Sequence, residues 1–501
     1  MEELHWADAI AEELINIRKD HKIATGITPS GPIHIGNLRE MLTADAIRRA
    51  VVDRSGKAEI IYVADTFDPL RKRYPFLPKE YENYVGMPLS MIPDPEGCHE
   101  SYAEHFLQPF LESLEILEIP VIVKKAHEMY ANGEYEEVTR IALENRDRIA
   151  RIIEEVTGRL LEDNWSPFMP LCENCKRLTT TKVKEFDGKR VSYVCSCGYE
   201  GEVGLREGKL LWRVDWPARW KVLGITCEPF GKDHASAGGS YDTGKRIAKE
   251  VFGIDPPYPV PYEWINLKGV GAMSSSKGVV VPVREFIEII PPEIVRYMII
   301  RVKPKKHIDF DPANLLELVD EFEENLRLND RSVQLSMISN VVYSDVPFKH
   351  LIVVGQIAKW DVERALKIIE RTGYNVDDVT RRDVERRLKY AKAWLEKFAS
   401  ERLKFEIAEK VDKAVFSDDE LKFLKRFAEE LSEDMSAEDV HNKVYEVANE
   451  IGMKPAKAFQ AIYKAILAKT YGPRAGYFIR TLGVGWFKKR VADILKNSSL
   501  L

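Results

Sequence analysis

The chain has 501 residues, of which 45% are apolar and 31% charged, with a net charge of −6 and a pI of about 6.1. That length implies several domains, and the apolar share suffices for a sizeable core. The acidic balance argues against a generic polyanion binder, and no apolar run approaches the ~18 residues of a membrane span. The N-terminus, "MEELHWADAIAEELINIRK", is amphipathic and acidic, unlike a secretory signal, so a cytoplasmic protein is expected.

In chain order, "KIATGI" reads as a strand, residues 34–54 as a helix and "AEIIYVAD" as a buried strand, a βαβ start over residues 1–90. Within it, "SGPIHIGNLRE" (30–40) is a strand-to-helix junction, which an α/β sheet places at the carboxyl end of a strand, where ligands bind. A helix N-terminus offers unpaired N–H groups and a positive dipole end to phosphate. Gly31 and Gly36 permit close approach, His34 can donate to phosphate oxygens, and Asn37 faces the same way. A loop merely shaped by Pro and Gly, with His34 capping the helix, is the competing reading.

Residues 91–205 read as an insertion: irregular and Pro-rich at first, then helical, with a charged amphipathic helix over 136–160. "CENC" and "CSCG" set Cys172, Cys175, Cys195 and Cys197 at the spacing of a tetrahedral structural zinc site. Four thiolates leave no open position, so the metal would fold a segment too small to bury its own core. "DPEGCHESYAEH" gathers Asp94, Cys98, His99 and His105, a mixed S, N and O set that could hold a second zinc if the backbone turns sharply, or be chance surface residues. Cys227 reads as unpaired and buried.

Residues 206–282 return to strand, glycine-rich loop and helix, the second half of the sheet. "FGKDHASAGGSYDTG" sets Asp233 and His234 at another strand end, where an acid could hold a ribose hydroxyl, and "GAMSSSKG" carries Lys277, which could add charge at the same phosphates. Residues 283–340 read as a connecting region and 341–501 as a helical domain. The basic stretches "RVKPKKH", Lys124 with Lys125, "RDRIAR" and "KKR" are each more simply solvated surface than nucleic-acid contacts.

In order and spacing, these segments resemble class I aminoacyl-tRNA synthetases. "HIGN" at 34–37 stands where that class has its HIGH motif, and "MSSSK" at 273–277 where it has its KMSKS loop. With "TGITPSGPIHIGNLRE", "WRVDWPARW", "GKDHASAGGSYDTG" and "TYGPRAGYFIRTLG", the chain is similar to the class I lysyl-tRNA synthetases of archaea and some bacteria, nearly end to end. Ala272 and Ser275 replace the two consensus lysines of the loop, so its positive charge falls to Lys277, with Lys268 as the fallback.

The resemblance implies an α/β Rossmann-type nucleotide-binding domain, a zinc-containing insertion and an α-helical anticodon-binding domain. It implies ATP-dependent attachment of L-lysine to tRNA(Lys) through a lysyl-adenylate, first to the 2′-hydroxyl of the terminal adenosine, with Mg²⁺ accompanying ATP. The implied ATP contacts are Pro29, Gly31, His34, Gly36, Asn37, Asp233, Met273, Ser274, Ser276 and Lys277, with His34, Asn37 and Lys277 catalytic. The implied lysine pocket is Gly26, Thr28, Trp212, His234 and Tyr262, unless its aromatics are ordinary core. Asp65 and Asp68 either offset the ε-ammonium or pair with Arg71 or Arg73. The tail interleaves Tyr471, Arg474, Tyr477, Phe478, Arg480, Trp486 and Phe487, as RNA stacking requires, although most of these aromatics more simply pack helices. The alternatives are a related synthetase for glutamate or cysteine, a catalytically inactive zinc-containing RNA-binding homologue, and a nucleotidylyltransferase. Neither DNA nor membrane is an expected partner.

Overall fold

The first strand, β1 (Asp20–Ile27), is buried almost continuously toward its carboxyl end, as a strand covered on both faces must be. Helix α1 (Leu38–Asp53) follows, and β2 (Lys57–Ala64) returns parallel to β1, in register from Asp20 opposite Lys57 to Ile27 opposite Ala64. Beyond β2 lies β3 (Val121–Lys125); on the other side of β1 lie β4 (Cys227–Gly231) and β5 (Tyr258–Tyr262). The sheet order is β5-β4-β1-β2-β3, all parallel. From β1 the chain winds outward one way and then resumes on the other side. The carboxyl ends of β1 and β4 therefore form a topological switch point, where such sheets bind ligands. Helix α2 (Trp212–Leu223) leads into β4.

The computed structural model describes residues 4–268, 271–272 and 281–496. They fall into two compact units: one spans Met1–Ile287, Pro292–Asp311 and Leu328–Ile338, the other Glu288–Pro291, Pro312–Arg327 and Ser339–Leu501.

Three local features differ from the sequence reading. The helix expected over 34–54 starts at Leu38 rather than at residue 34, because residues 34–37 form a tight turn. Strand β3 was not expected: "VIV" followed by two lysines is too short to signal a strand until β2 supplies its partner. The charged helix over 136–160 is two helices, Glu136–Glu144 and Arg146–Thr157, broken at Asn145. The Asn145 amide donates to the Ile141 carbonyl (2.8 Å), the local competition with helix bonding that makes Asn a breaker.

The insertion carries a three-stranded antiparallel sheet (Thr181–Phe186, Arg190–Cys195, Glu200–Gly204), and its Phe168–Pro170 pairs antiparallel with Gly208–Leu210 just beyond it.

The second unit is predominantly helical. Helices Asp418–Glu430 and Ala437–Glu450 start with reciprocal capping boxes at Ser417 and Ser436. Phe478 and Phe487 are fully buried in its core, and the Tyr477 hydroxyl meets His350 Nδ1. Tyr471 is exposed, and Arg490 lies over the Trp486 ring at 4.9 Å. Among the described residues no helix is long and apolar enough to cross a membrane.

Candidate active site

The carboxyl ends of β1, β4 and β5 line a cavity of about 590 Å³, within the ~300–1,000 Å³ of ligand pockets. Strand β1 supplies Gly26 and Ile27, the following loop Thr28, Gly31, His34, Gly36 and Asn37, and α1 supplies Glu40. Trp212, Trp216 and Arg219 form one stripe of α2, and Asp233, His234 and Tyr262 complete the lining. The Trp212 and Trp216 rings stack at 5.3 Å, with His234 at 6.0 and 5.5 Å from them.

The phosphate loop differs from the expected row of free amides. The N–H groups of Asn37, Leu38, Arg39 and Glu40 donate to carbonyls three residues back, and Ile35 donates to Val281. The His34 N–H donates to Asn37 Oδ1 (3.2 Å), which leaves the Asn37 amide nitrogen as its free end. From His34 to Glu40, the Gly36 N–H alone has no acceptor among the described residues. Burial lowers the His34 pKa to about 4, so its imidazole is neutral, and its Nδ1 is buried without a partner. It can donate one proton to an anion but brings no charge. A backbone bridge pairs His34 with Pro282.

The floor of the cavity is acidic. Glu40 accepts the Gly26 N–H at Oε1 (2.7 Å) and the Tyr262 hydroxyl at Oε2 (2.8 Å). Burial raises its pKa to about 8 against those two bonds, and Glu228 and Asp65 push the same way. Burial likewise raises Glu228 to about 7, although the indoles of Trp216 and Trp220 donate to it at 2.9 and 2.6 Å. Asp65 and Asp68 do not pair with Arg71 or Arg73. Asp65 binds Arg219 (2.5 Å), while Asp68 takes the Thr28 hydroxyl (2.9 Å) and Lys209 (3.2 Å). Arg219 arrives from α2 and Lys209 from the short strand before it, more than a hundred residues downstream, out of reach of local sequence reading.

The remaining sequence candidates are placed as follows. Pro29 is buried and does not line the cavity. Asp233 is exposed at its rim. Lys268 is exposed, away from the lining, and paired with Asp311 (2.9 Å). Met273, Ser274, Ser276 and Lys277 lie outside the described residues. Cys227 is buried and unbridged, and burial pushes its thiol up. The sequence reading missed Glu40, Glu228, Trp216 and Arg219. A glutamate in the first turn of a helix is commonplace, so nothing local marked Glu40.

Neither cysteine-containing cluster lines the cavity. The four thiols Cys172, Cys175, Cys195 and Cys197 lie within 4.8 Å of one another, with Cys172–Cys197 at 3.7 Å and Cys175–Cys195 at 3.6 Å. Sulfurs bound tetrahedrally at about 2.3 Å stand about 3.8 Å apart, so the set fits zinc. Asp94, Cys98, His99 and His105 also converge, with contacts between 2.9 and 3.4 Å. The sharp turn this needs is present: Gly97 has φ +70° and Asp94 Oδ1 accepts the N–H groups of Glu96 and Gly97.

The family model described as tRNA synthetases class I (K) matches residues 4–343. A lysine–tRNA ligase of Archaeoglobus fulgidus is 68% identical over 494 residues, covering 98% of this chain and 100% of that protein. A lysine–tRNA ligase of Methanosarcina barkeri is 48% identical, covering 95% of each chain. Lysine–tRNA ligase 1 of Methanosarcina acetivorans is 46% identical, covering 98% of each. The switch-point cavity, its HIGN loop and this end-to-end similarity agree: the chain belongs to the class I (K) tRNA synthetases.

Proposed function

We propose that the chain is a lysine–tRNA ligase, using ATP to attach L-lysine to tRNA(Lys) through lysyl-adenylate, first on the 2′-hydroxyl of the terminal adenosine. The observation that carries the amino-acid specificity is Glu40. It is a buried carboxyl at the floor of an aromatic cavity, held by two neutral donors, with no cation paired to it among the described residues. The ε-ammonium of lysine is the charge that this site lacks. Trp212, Trp216 and Tyr262 can enclose its aliphatic stem. Glutamate would set a further carboxylate against Glu40 and Glu228, and the metal that cysteine recognition would call for has its ligands elsewhere.

In this reading the lysine carboxylate attacks the α-phosphorus of ATP, and pyrophosphate leaves. The 2′-hydroxyl then attacks the activated carbonyl, and AMP leaves. Such transfers need positioning and charge stabilisation more than covalent help. His34 donates as a neutral imidazole, the Asn37 amide and Gly36 N–H add donors, and Asp233 takes the ribose hydroxyls. Lys277, with Met273, Ser274 and Ser276, closes on the phosphates. Its segment leads into Pro282, which is bridged to His34. Residues 1–90 and 206–282 are the halves of the catalytic domain, 91–205 the insertion, 283–340 the stem-contact region and 341–501 the anticodon-binding domain, in a cytoplasmic enzyme.

Cys172, Cys175, Cys195 and Cys197 hold a structural zinc in the insertion, and Asp94, Cys98, His99 and His105 hold a second. Metal analysis of the purified chain is expected to return two zinc ions. Cys175→Ala and Cys98→Ala should each return one. Unchanged stoichiometry in either variant removes that site.

The function is tested by ATP–pyrophosphate exchange with each of the twenty amino acids, with and without tRNA, alongside His34→Ala and Lys277→Ala. Exchange with lysine alone, weakened by both substitutions, is expected. Exchange with another amino acid overturns the Glu40 pocket. No exchange by folded, zinc-loaded protein overturns the ligase reading.

A further inference from the structure

Helix α2 carries tryptophans at 212, 216 and 220. Four-residue spacing sets all three along one face of the helix. Trp212 and Trp216 line the cavity, and Trp220 does not. The three rings nonetheless form one row. Trp212 and Trp216 stand 5.3 Å apart and nearly parallel, at 15°, and Trp216 and Trp220 stand 5.2 Å apart at 57°. Gly244 makes room for the third: a side chain there would begin 2.9 Å from the Trp220 ring. A fully buried indole, seated by a glycine and away from the ligand space, has to be explained by what it holds.

It holds Glu228. This buried side chain of β4 accepts the Trp216 indole at Oε1 (2.9 Å) and the Trp220 indole at Oε2 (2.6 Å), one donor on each oxygen. The residue type follows from that demand. Two N–H donors need two separate acceptors and no competing donor, which a carboxylate supplies. Glutamine offers one oxygen and would turn its own N–H groups toward the second indole. Aspartate falls a methylene short, and leucine would leave two buried N–H groups unpaired. As a charge, Glu228 is poorly placed. Glu40 and Asp65 act against its ionisation, and the guanidinium that favours it, Arg219, already binds Asp65 and Asp215. Burying a further acid here is costly, and the two indoles are what its oxygens meet.

Trp216 passes this constraint on. Its ring stacks on Trp212, meets Phe230 edge-on at 5.3 Å and packs against His234 at 5.5 Å. Among the described residues the Trp212 indole N–H has no acceptor, so that ring is placed by Trp216 on one side and by Arg219, 5.8 Å from its centroid. Fixing one indole therefore fixes the aromatic wall of the cavity. In the function proposed above, on which this inference rests, that wall encloses the stem of lysine. We propose that Glu228 is a positioning residue for the amino acid: with Trp220 holding its other oxygen, it fixes the Trp216 indole and through it the wall against which lysine packs. Glu40 stays the counter-ion, and Glu228 acts by geometry rather than by charge.

The test separates geometry from charge by ATP–pyrophosphate exchange on the zinc-loaded full-length protein. Glu228→Gln, which can pair with one indole at a time, should raise KM for lysine about tenfold, with kcat and KM for ATP within about twofold of wild type. Adding Trp220→Phe removes the second donor and lets the glutamine oxygen settle on Trp216. The double variant, although it lacks the charge, should bring KM for lysine back to within about threefold of wild type. Glu228→Asp does the reverse. It keeps the charge and loses the reach, so it too should raise KM for lysine about tenfold, and it gives the reading even if Glu228→Gln is too unstable to assay. If Glu228→Asp behaves as wild type, or if the double variant stays as impaired as Glu228→Gln, Glu228 acts through its charge and the proposal is wrong. It is equally wrong if KM for ATP rises with that for lysine in Glu228→Asp, because a general loosening of the cavity then accounts for both. Failure of wild type to activate lysine would instead remove the ligase reading beneath it.

Discussion

Glu40→Gln is expected to lower kcat/KM for lysine by about 100-fold, corresponding to about 3 kcal/mol for removing one member of a buried, hydrogen-bonded charge pair. The substitution preserves shape: its amide oxygen can still accept the Gly26 N–H, and the Tyr262 hydroxyl can turn to accept from the amide nitrogen, so the fold should survive. The pH dependence gives a second, sharper reading. In the free protein the Glu40 carboxyl has its pKa raised to about 8, so at neutral pH it holds a proton. An ammonium binds the ionised carboxylate. Lysine binding must therefore release that proton, and affinity should rise roughly tenfold per pH unit below pH 8, then level off. Calorimetry at pH 7 in two buffers of different ionisation enthalpy should count nearly one proton released per lysine by wild type and none by Glu40→Gln. Equal proton counts in the two proteins would show that Glu40 is not the counter-ion.

The largest stability effect is expected at Arg219. Its side chain is buried and binds Asp65 (2.5 Å) and Asp215 (2.8 Å). Tyr130 also donates to Asp215, and Lys209 reaches both Asp215 (3.6 Å) and Asp68 (3.2 Å). Three carboxylates thus share two cations in this cluster. Arg219→Met would leave Lys209 alone to balance them, and the loss expected for orphaning a buried charge is about 3–5 kcal/mol. Urea unfolding measures it. The double variant Arg219→Met with Asp65→Asn, which removes the orphaned charge with its partner, should recover a good part of the loss. A loss below about 1 kcal/mol in the single variant would mean that the cluster carries no such strain. Arg219 ties the end of β2 to α2, and α2 carries Trp212 and Trp216. The same substitution should therefore raise KM for lysine even where the protein remains folded.

Several parts of the site could be read from the chain directly. "SGPIHIGN" announces a strand-to-helix turn because Pro and Gly fix backbone angles wherever they occur. The cysteine pairs announce a tetrahedral cluster because two thiols separated by one or two residues can turn onto a common centre. The interleaved tail was less informative. Phe478 and Phe487 are core, Tyr477 is tied to His350, and Tyr471 is exposed. Alternating aromatic and basic residues do not distinguish a packed helix face from an open one.

The sequence by itself determined the sheet-forming segments β1, β2 and β4, the phosphate loop, the zinc-type cysteine spacing and the helical second half. Each depends on residues within a few positions of one another, where backbone geometry and periodicity act. Tertiary structure alone decided that Glu40 faces Tyr262, that Asp65 meets Arg219, and that most amides of the phosphate loop are already engaged. It also decided that Trp216 and Trp220 share Glu228. These are relations between segments that only the parallel sheet and its insertion bring together. They also depend on burial, which turns an ordinary helix glutamate into an acid with a pKa near 8 and a histidine into a neutral donor.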